Sequence, residues 1–191
     1  MGFETLRDLY VDHIQDLYSS EAQILDALPK MIDKASHVRL RDAFQQHLEQ
    51  TRQHAARLEQ IARRLNEAPH GKTCRGMAGV LKEGEEVIKE GGDQDVLDAA
   101  IIAAAQRVEH YEIAAYGCAR TFAQALNLDE DAALLQQTLD EEGETNKKLT
   151  QLAESVVNRD AQKGLIVDRE IISRPIHDRG FGSERDSELR P

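Results

Sequence analysis

Apolar residues recur every three or four positions along four long stretches of this chain, a periodicity that leaves little open to it but packed helices. From Thr5 to about Lys34 the stripe is Leu6, Leu9, Tyr10, Ile14, Leu17, Ile24, Leu25 and Leu28. Pro29 lies inside it, lacks a backbone donor, and predicts a kink or an early end. A second stripe of Leu40, Phe44, Leu48, Leu58, Ile61 and Leu65 runs to about Glu67. The third, with Asp93 placed to cap it, carries Val96, Leu97, Ile101, Ile102, Val108, Ile113 and Tyr116 to about Leu126. The fourth follows within a few residues and carries Leu134, Leu135, Leu139, Leu149, Leu152 and Val156. With no Trp, four Phe, four Tyr and few β-branched runs, local propensity favours helix almost throughout.

The connections set the topology. The first and last pairs of helices are joined tightly, which makes each pair antiparallel. The middle link contains the breaker-rich APHGKTCRG, residues 68–76, and then MAGVLKEGEEVIKE, a short amphipathic helix ended by Gly91 and Gly92. The prediction is an all-α, antiparallel four-helix bundle over residues 1–160, with one long crossover carrying a short extra helix. Residues 161–191 mix Arg and acids with Gly, Pro and Ser and read as a C-terminal extension, disordered or packed on a partner subunit. Within it, LIVDREIIS reads as a short strand or a subunit-packing segment.

A formal charge of -11 repels phosphate backbones and anionic headgroups, so nucleic acid and membrane surfaces are excluded as expected partners. No run of about 18 apolar residues occurs. The start MGFETLRDLY shows no basic region followed by an apolar run, and the cytoplasm is the expected location. Cys74 and Cys118 are far apart and form neither a disulfide framework nor a zinc clip.

Against this background, four acids fall on apolar stripes. Glu21 follows Leu17 by four and precedes Ile24 by three. Glu109 sits four after Ala105 and four before Ile113, with Glu112 between it and Tyr116. Glu142 sits three after Leu139 and seven before Leu149. On the second helix Glu49 and Glu59 project away from the stripe, toward solvent, while His47, Thr51 and His54 lie on it and Gln50 is at its margin. An unpaired ionised carboxylate in an apolar interior is very costly, and inward Lys or Arg is scarce, with Arg120 the main candidate. Two divalent cations would balance the charges of Glu21, Glu109, Glu112 and Glu142, with His54 as a neutral ligand. A carboxylate-rich set with imidazole suits iron or manganese better than thiolate-bound zinc. His47 reads as structural or as a hydrogen-bonding neighbour of the ligands. Tyr116 reads as a core tyrosine or as a hydrogen-bond or electron donor beside the site.

The segments YSSEAQILDALPKM, AFQQHLEQTRQHAARLEQI, DAAIIAAAQRVEHYEIAAYG and LLQQTLDEEGETNKKLTQLA resemble the YciE/YciF-type bacterial stress proteins of the ferritin-like superfamily, over about residues 3 to 157. Ferritin-like di-iron proteins present one Glu on each of two helices and Glu-x-x-His on the other two. In that comparison Glu21 resembles the lone ligand of the first helix, and Glu109 and Glu112 the acidic pair that rubrerythrin-like relatives carry on the third. The second and fourth helices depart from the pattern. Thr51 stands three before His54, beside Gln50, and Thr145 and Asn146 follow Glu142 where a histidine is usual. Two usual ligands are thus missing or replaced by weaker neutral oxygen donors.

The resemblance implies a di-metal protein, iron or manganese, that reacts with oxygen or peroxide, and a homodimer with the exposed side of the first two helices as its interface. The competing expectation is a non-enzymatic stress-response scaffold with a degenerate or empty site.

Overall fold

The structure, a computed structural model, describes residues 2–163. Thr5 starts the first helix through a capping box: its hydroxyl accepts from Asp8 N at 3.1 Å, and the Asp8 carboxylate accepts from Thr5 N at 2.9 Å. Helix α1 then spans Leu6–Lys34. It runs five residues past Pro29 instead of ending there. Pro29 is on the exposed side, where water can satisfy the carbonyl that the proline leaves without a donor.

Helix α2 covers Val38–Leu65 and ends at Asn66, in the left-handed conformation (φ 57°). Helix α3, Arg75–Glu90, is the short crossover helix, and α4, Gln94–Ala125, begins where Asp93 caps the backbone N–H groups of Asp95 and Val96. Asn127 makes the tight turn (φ 58°) into α5, Asp129–Leu152, followed by a π-helical turn at Ala153–Val157 and helix again to residue 163. The helical chain therefore passes the expected boundary at 160, and the segment LIVDREIIS lies outside the described residues.

α1 packs on α2 and α4 on α5; the pairs face each other through α1–α4 and α2–α5, with α3 laid across α4 and α1. This is the expected antiparallel bundle with its long crossover. Its apolar interior falls into two clusters. One is built around Ile24, Leu28, Leu40, Phe44, Met77, Ile101 and Leu149, the other around Tyr10, Ile14, Leu17, Leu58, Ile61 and Leu135. Each buried Leu, Ile or Phe contributes about 1.5–3 kcal/mol by leaving water, so these two layers hold the bundle.

Two stripe positions turn outward: Val96 is 51% exposed and Leu6 37%. Both lie in the first turn of their helices, beyond the reach of the facing helix. Glu59, expected in solvent, is half-buried and accepts from the Tyr18 hydroxyl at 3.1 Å, whereas Glu49 is exposed as expected.

Candidate metal centre

Between the two apolar clusters every bundle helix changes character at one level. α1 places Ser20 and Glu21 between Leu17 and Ile24; α2 places His47, Thr51 and His54 between Phe44 and Leu58; α4 places Glu109 and Glu112 between Val108 and Tyr116; α5 places Thr138, Glu142 and Thr145 between Leu135 and Leu149. Antiparallel packing brings these four segments into a single polar layer. Glu21, His54, Glu112 and Glu142 have no exposure at all, and Glu109 and His47 have 2% and 3%.

Two donor groups form within the layer. Glu21, His54 and Glu142 offer ligand atoms that all lie within 4.8 Å of one another, and so do His47, Glu109 and Glu142. Glu142 belongs to both. His54 Nδ1 stands 2.8 Å from Glu142 Oε1 and 3.6 Å from Glu21 Oε1, while His47 Nε2 stands 3.3 Å from Glu109 Oε1. Glu112 lies outside both groups, buried beside them.

The residues fit a cation. Both nitrogens of His47, His54 Nδ1, both oxygens of Glu112 and of Glu142, and one oxygen each of Glu21 and Glu109 are buried with no hydrogen-bond partner among the described residues. Their close approaches converge on shared space without satisfying one another, which is costly unless a positive charge joins them. Lys and Arg do not supply it: among the described residues neither pairs with any of these four carboxylates. Arg120, the inward candidate of the sequence, instead reaches Gln136 Oε1 at 2.6 Å.

Without a metal the layer must hold protons. Burial, then the Glu142 charge, pushes Glu109 well above the usual carboxylate range, and burial with the Glu21 and Glu142 charges does the same to Glu112. Burial also raises Glu21, against the opposing pull of His54. Burial by itself would lower His54, but Glu142 and Glu21 outweigh it and raise the imidazole to about 10. Glu142 is the exception: burial raises it, and His54 and His47 together outweigh that and leave it lowered. His47 is lowered by burial.

The neighbouring polar groups differ from expectation. The Tyr116 hydroxyl donates to Glu21 Oε1, so it is more than a core tyrosine. Thr51 spends its hydroxyl on the carbonyl of His47 in its own helix (2.9 Å), Asn146 accepts from Gln106 (3.1 Å), and Gln50 is half-buried. The group that gathers beside Glu109 and Glu142 from α2 is the imidazole of His47.

Sequence reasoning passed over Glu141. Its Oε2 lies 2.8 Å from His54 Nε2, and Arg57 donates to both its oxygens at 2.7 and 2.9 Å. Burial raises Glu141, but Arg57, His54 and Gln137 outweigh it and bring its carboxyl down to about 2. A signal existed, since Arg57 stands three after His54 and Glu141 immediately before Glu142, but each side chain sits at the edge of its stripe and reads as solvent-facing.

Residues 5–162 match the family described as domain of unknown function DUF892. The chain belongs to the DUF892 family. It is 40% identical over 163 residues to Protein YciF of Escherichia coli strain K12, covering 85% of this chain and 98% of that protein. The crystal structure of the E. coli stress protein YciF superposes with a TM-score of 0.79 at 41% identity, over 82% of this chain and 99% of that one. A protein from Xanthomonas campestris pv. campestris, 20% identical, shares the fold with a TM-score of 0.68 over 84% of this chain and 99% of that one. The YciF-type, ferritin-like likeness of the four helical segments is borne out. The residues of the buried polar layer, Ser20 to Thr145, all lie inside the matched region.

Proposed function

We propose that this chain is a di-metal carboxylate protein of the bacterial stress response, holding iron or manganese between its four helices and reacting with oxygen or peroxide. The observation that carries the reading is Glu142, one carboxylate shared by two compact groups of buried ligand atoms. One ion would be held by Glu21, His54 and Glu142, the other by His47, Glu109 and Glu142.

The chemistry that two redox-active ions would supply when bound is electrons for an oxidant and stabilisation of the charge that develops on it. The chain does the rest. Glu142 stands between the two positions, and Glu112, buried beside them with both oxygens unpartnered, would add its charge to the balance. Tyr116 fixes Glu21 through its hydroxyl. His54 is oriented from behind by Glu141, which leaves Nδ1 directed at the centre. The apolar layers on either side exclude bulk water, so a proton released inside has the His54–Glu141 contact as its way to the surface.

The test is anaerobic reconstitution with Fe(II) or Mn(II) followed by metal counting. Glu142→Ala should lose both ions and Glu21→Ala one. Fewer than one ion per chain, unchanged by either substitution, together with a melting temperature indifferent to added metal, would overturn the proposal in favour of a metal-free scaffold.

A further inference from the structure

Outside the polar layer a groove of about 660 Å³ lies between α1, α3 and α4. That volume lies within the roughly 300–1,000 Å³ of small-molecule sites. Its floor is apolar, with Ile101 and Ala104 of α4 buried beneath α3, and its mouth is charged. Three lysines, Lys30, Lys34 and Lys89, stand there against Asp33 and Glu85; Lys30 is paired with Glu85 at 2.8 Å and Lys34 lies 3.7 Å from Asp33, which leaves the charge of Lys89 in excess. The mouth thus carries one net positive charge on a chain whose total is -11.

The groove does not end at its floor. Ala27, Met31, Leu81 and Val108 line it and also line a second, inner void of about 10 Å³ whose other walls include His47 and Glu109. Four side chains therefore separate an apolar groove open to solvent from the ligand atoms of the polar layer. Met31 is unbranched and flexible, a side chain suited to a wall that must yield.

We propose that this groove binds a single-chain amphiphile with an anionic head, the alkyl tail running inward between α3 and α4 toward His47 and Glu109 and the head held at Lys34 and Lys89. The tail matches the apolar floor, the head matches the local charge, and the inner void sets the direction. Binding needs only the groove. What the inward tail would mean chemically rests on the di-metal reading above.

The probe is dodecanoate, titrated calorimetrically into the full chain with and without Mn(II). One molecule should bind per chain in both states. Gly84→Leu projects a side chain from α3 toward Ala104, where an added Cβ meets only Ala104 Cβ at 3.5 Å, and it raises helix propensity. It should weaken dodecanoate about tenfold or more by filling the groove. Lys34→Glu, on the exposed rim, should weaken it about fivefold, and dodecyltrimethylammonium should bind less well than dodecanoate. In methyl-labelled protein the terminal methyl of the ligand should contact Leu81 and Val108, and its head methylenes should not.

No saturable binding, binding unchanged by Gly84→Leu in a protein with wild-type circular dichroism, or a reversed tail orientation would overturn the proposal. So would contacts of Val108 with Ile171 or Ile172 of the same chain, or a dimer that Gly84→Leu dissociates, because each gives the groove another occupant. Dodecanoate bound by a protein that takes up no Mn(II) keeps the groove and sinks the metal centre; the opposite result keeps the centre and sinks the groove.

Discussion

Glu141 Oε2 lies 2.8 Å from His54 Nε2, on the side of the imidazole opposite the one that faces Glu142. A carboxylate partly open to solvent thereby orients a histidine that has no exposure. Without metal the raised imidazole carries protons on both nitrogens; on giving up the Nδ1 proton it would keep Nε2–H donating to Glu141 and offer Nδ1 to the polar layer, the form a metal ligand needs.

Glu141→Gln should therefore weaken Mn(II) binding about 10–100-fold while the metal-free fold persists, because losing the carboxylate behind a ligating imidazole lowers its basicity and loosens its orientation. Arg57→Gln should have the same direction and a smaller effect, since Arg57 reaches the imidazole only through Glu141, its other contact being Thr138 Oγ1 at 3.0 Å. Titration followed by electron paramagnetic resonance of free Mn(II) measures both. An unchanged affinity in Glu141→Gln would remove Glu141 from the site.

The chelator-treated protein should lose stability as pH rises above neutrality. His54, raised to about 10 from an ordinary 6.5, contributes stability fully present below 6.5 and lost as pH approaches 10. Glu109 and Glu112, raised well above 4.5, keep protons that the unfolded chain releases above 4.5, so they act in the same direction. Glu142 and Glu141 are lowered, and their contribution is lost only as pH falls below 4.5. Calorimetric melting temperatures should fall between about pH 6 and 9, and Glu112→Gln should flatten that slope. Metal-loaded protein should show the reverse slope, since metal and protons compete for the same atoms.

Gly76→Ala should destabilise the protein although Gly76 is exposed in the first turn of α3. A Cβ there would stand 2.7 Å from the Tyr111 ring and hydroxyl, whose position is set by Cys74 Sγ at 3.0 Å and Asp16 at 3.4 Å. Moving the ring or the helix costs about 1–3 kcal/mol, as overpacking does elsewhere. For a domain of this size that is a drop of roughly 2–4 °C per kcal/mol, readable by thermal melting.

Asp98→Ala should cost about 1–3 kcal/mol. Asp98 is 1% exposed, and its carboxylate accepts from Ser36 N, Ser36 Oγ and His37 N, each at 2.8 Å, tying the α1–α2 turn to α4. Without it two backbone donors at the start of α2 lose their acceptor. Urea denaturation of the metal-free protein checks the magnitude, and an undiminished midpoint would show that water replaces the carboxylate.

Periodicity and breakers made the bundle legible in the sequence. Apolar stripes marked all four long helices, Asp93 marked a cap, and Gly91 with the segment 68–76 marked the crossover, because these signals are local properties of a helix and its ends. The inward acids were legible for the same reason: a 100° turn per residue fixes which way Glu21, Glu109, Glu112 and Glu142 point relative to Leu17, Ala105 and Leu149. What periodicity could not supply was the pairing across helices. Pro29 reads as a break but lies on the wet face of α1, where its missing bond costs little.

The sequence by itself determined that four helices form, that each buries one stripe, and that negative charge and imidazole share those stripes. Only the packed structure decided that His47 joins Glu109 and Glu142, that Glu142 stands between two donor groups, and that Glu141 and Arg57 support His54 from outside. The physical reason is reach. A helix dictates direction over three or four residues, whereas these contacts depend on the relative height of helices far apart in the chain, and that height is set by the two apolar layers closing around the polar one.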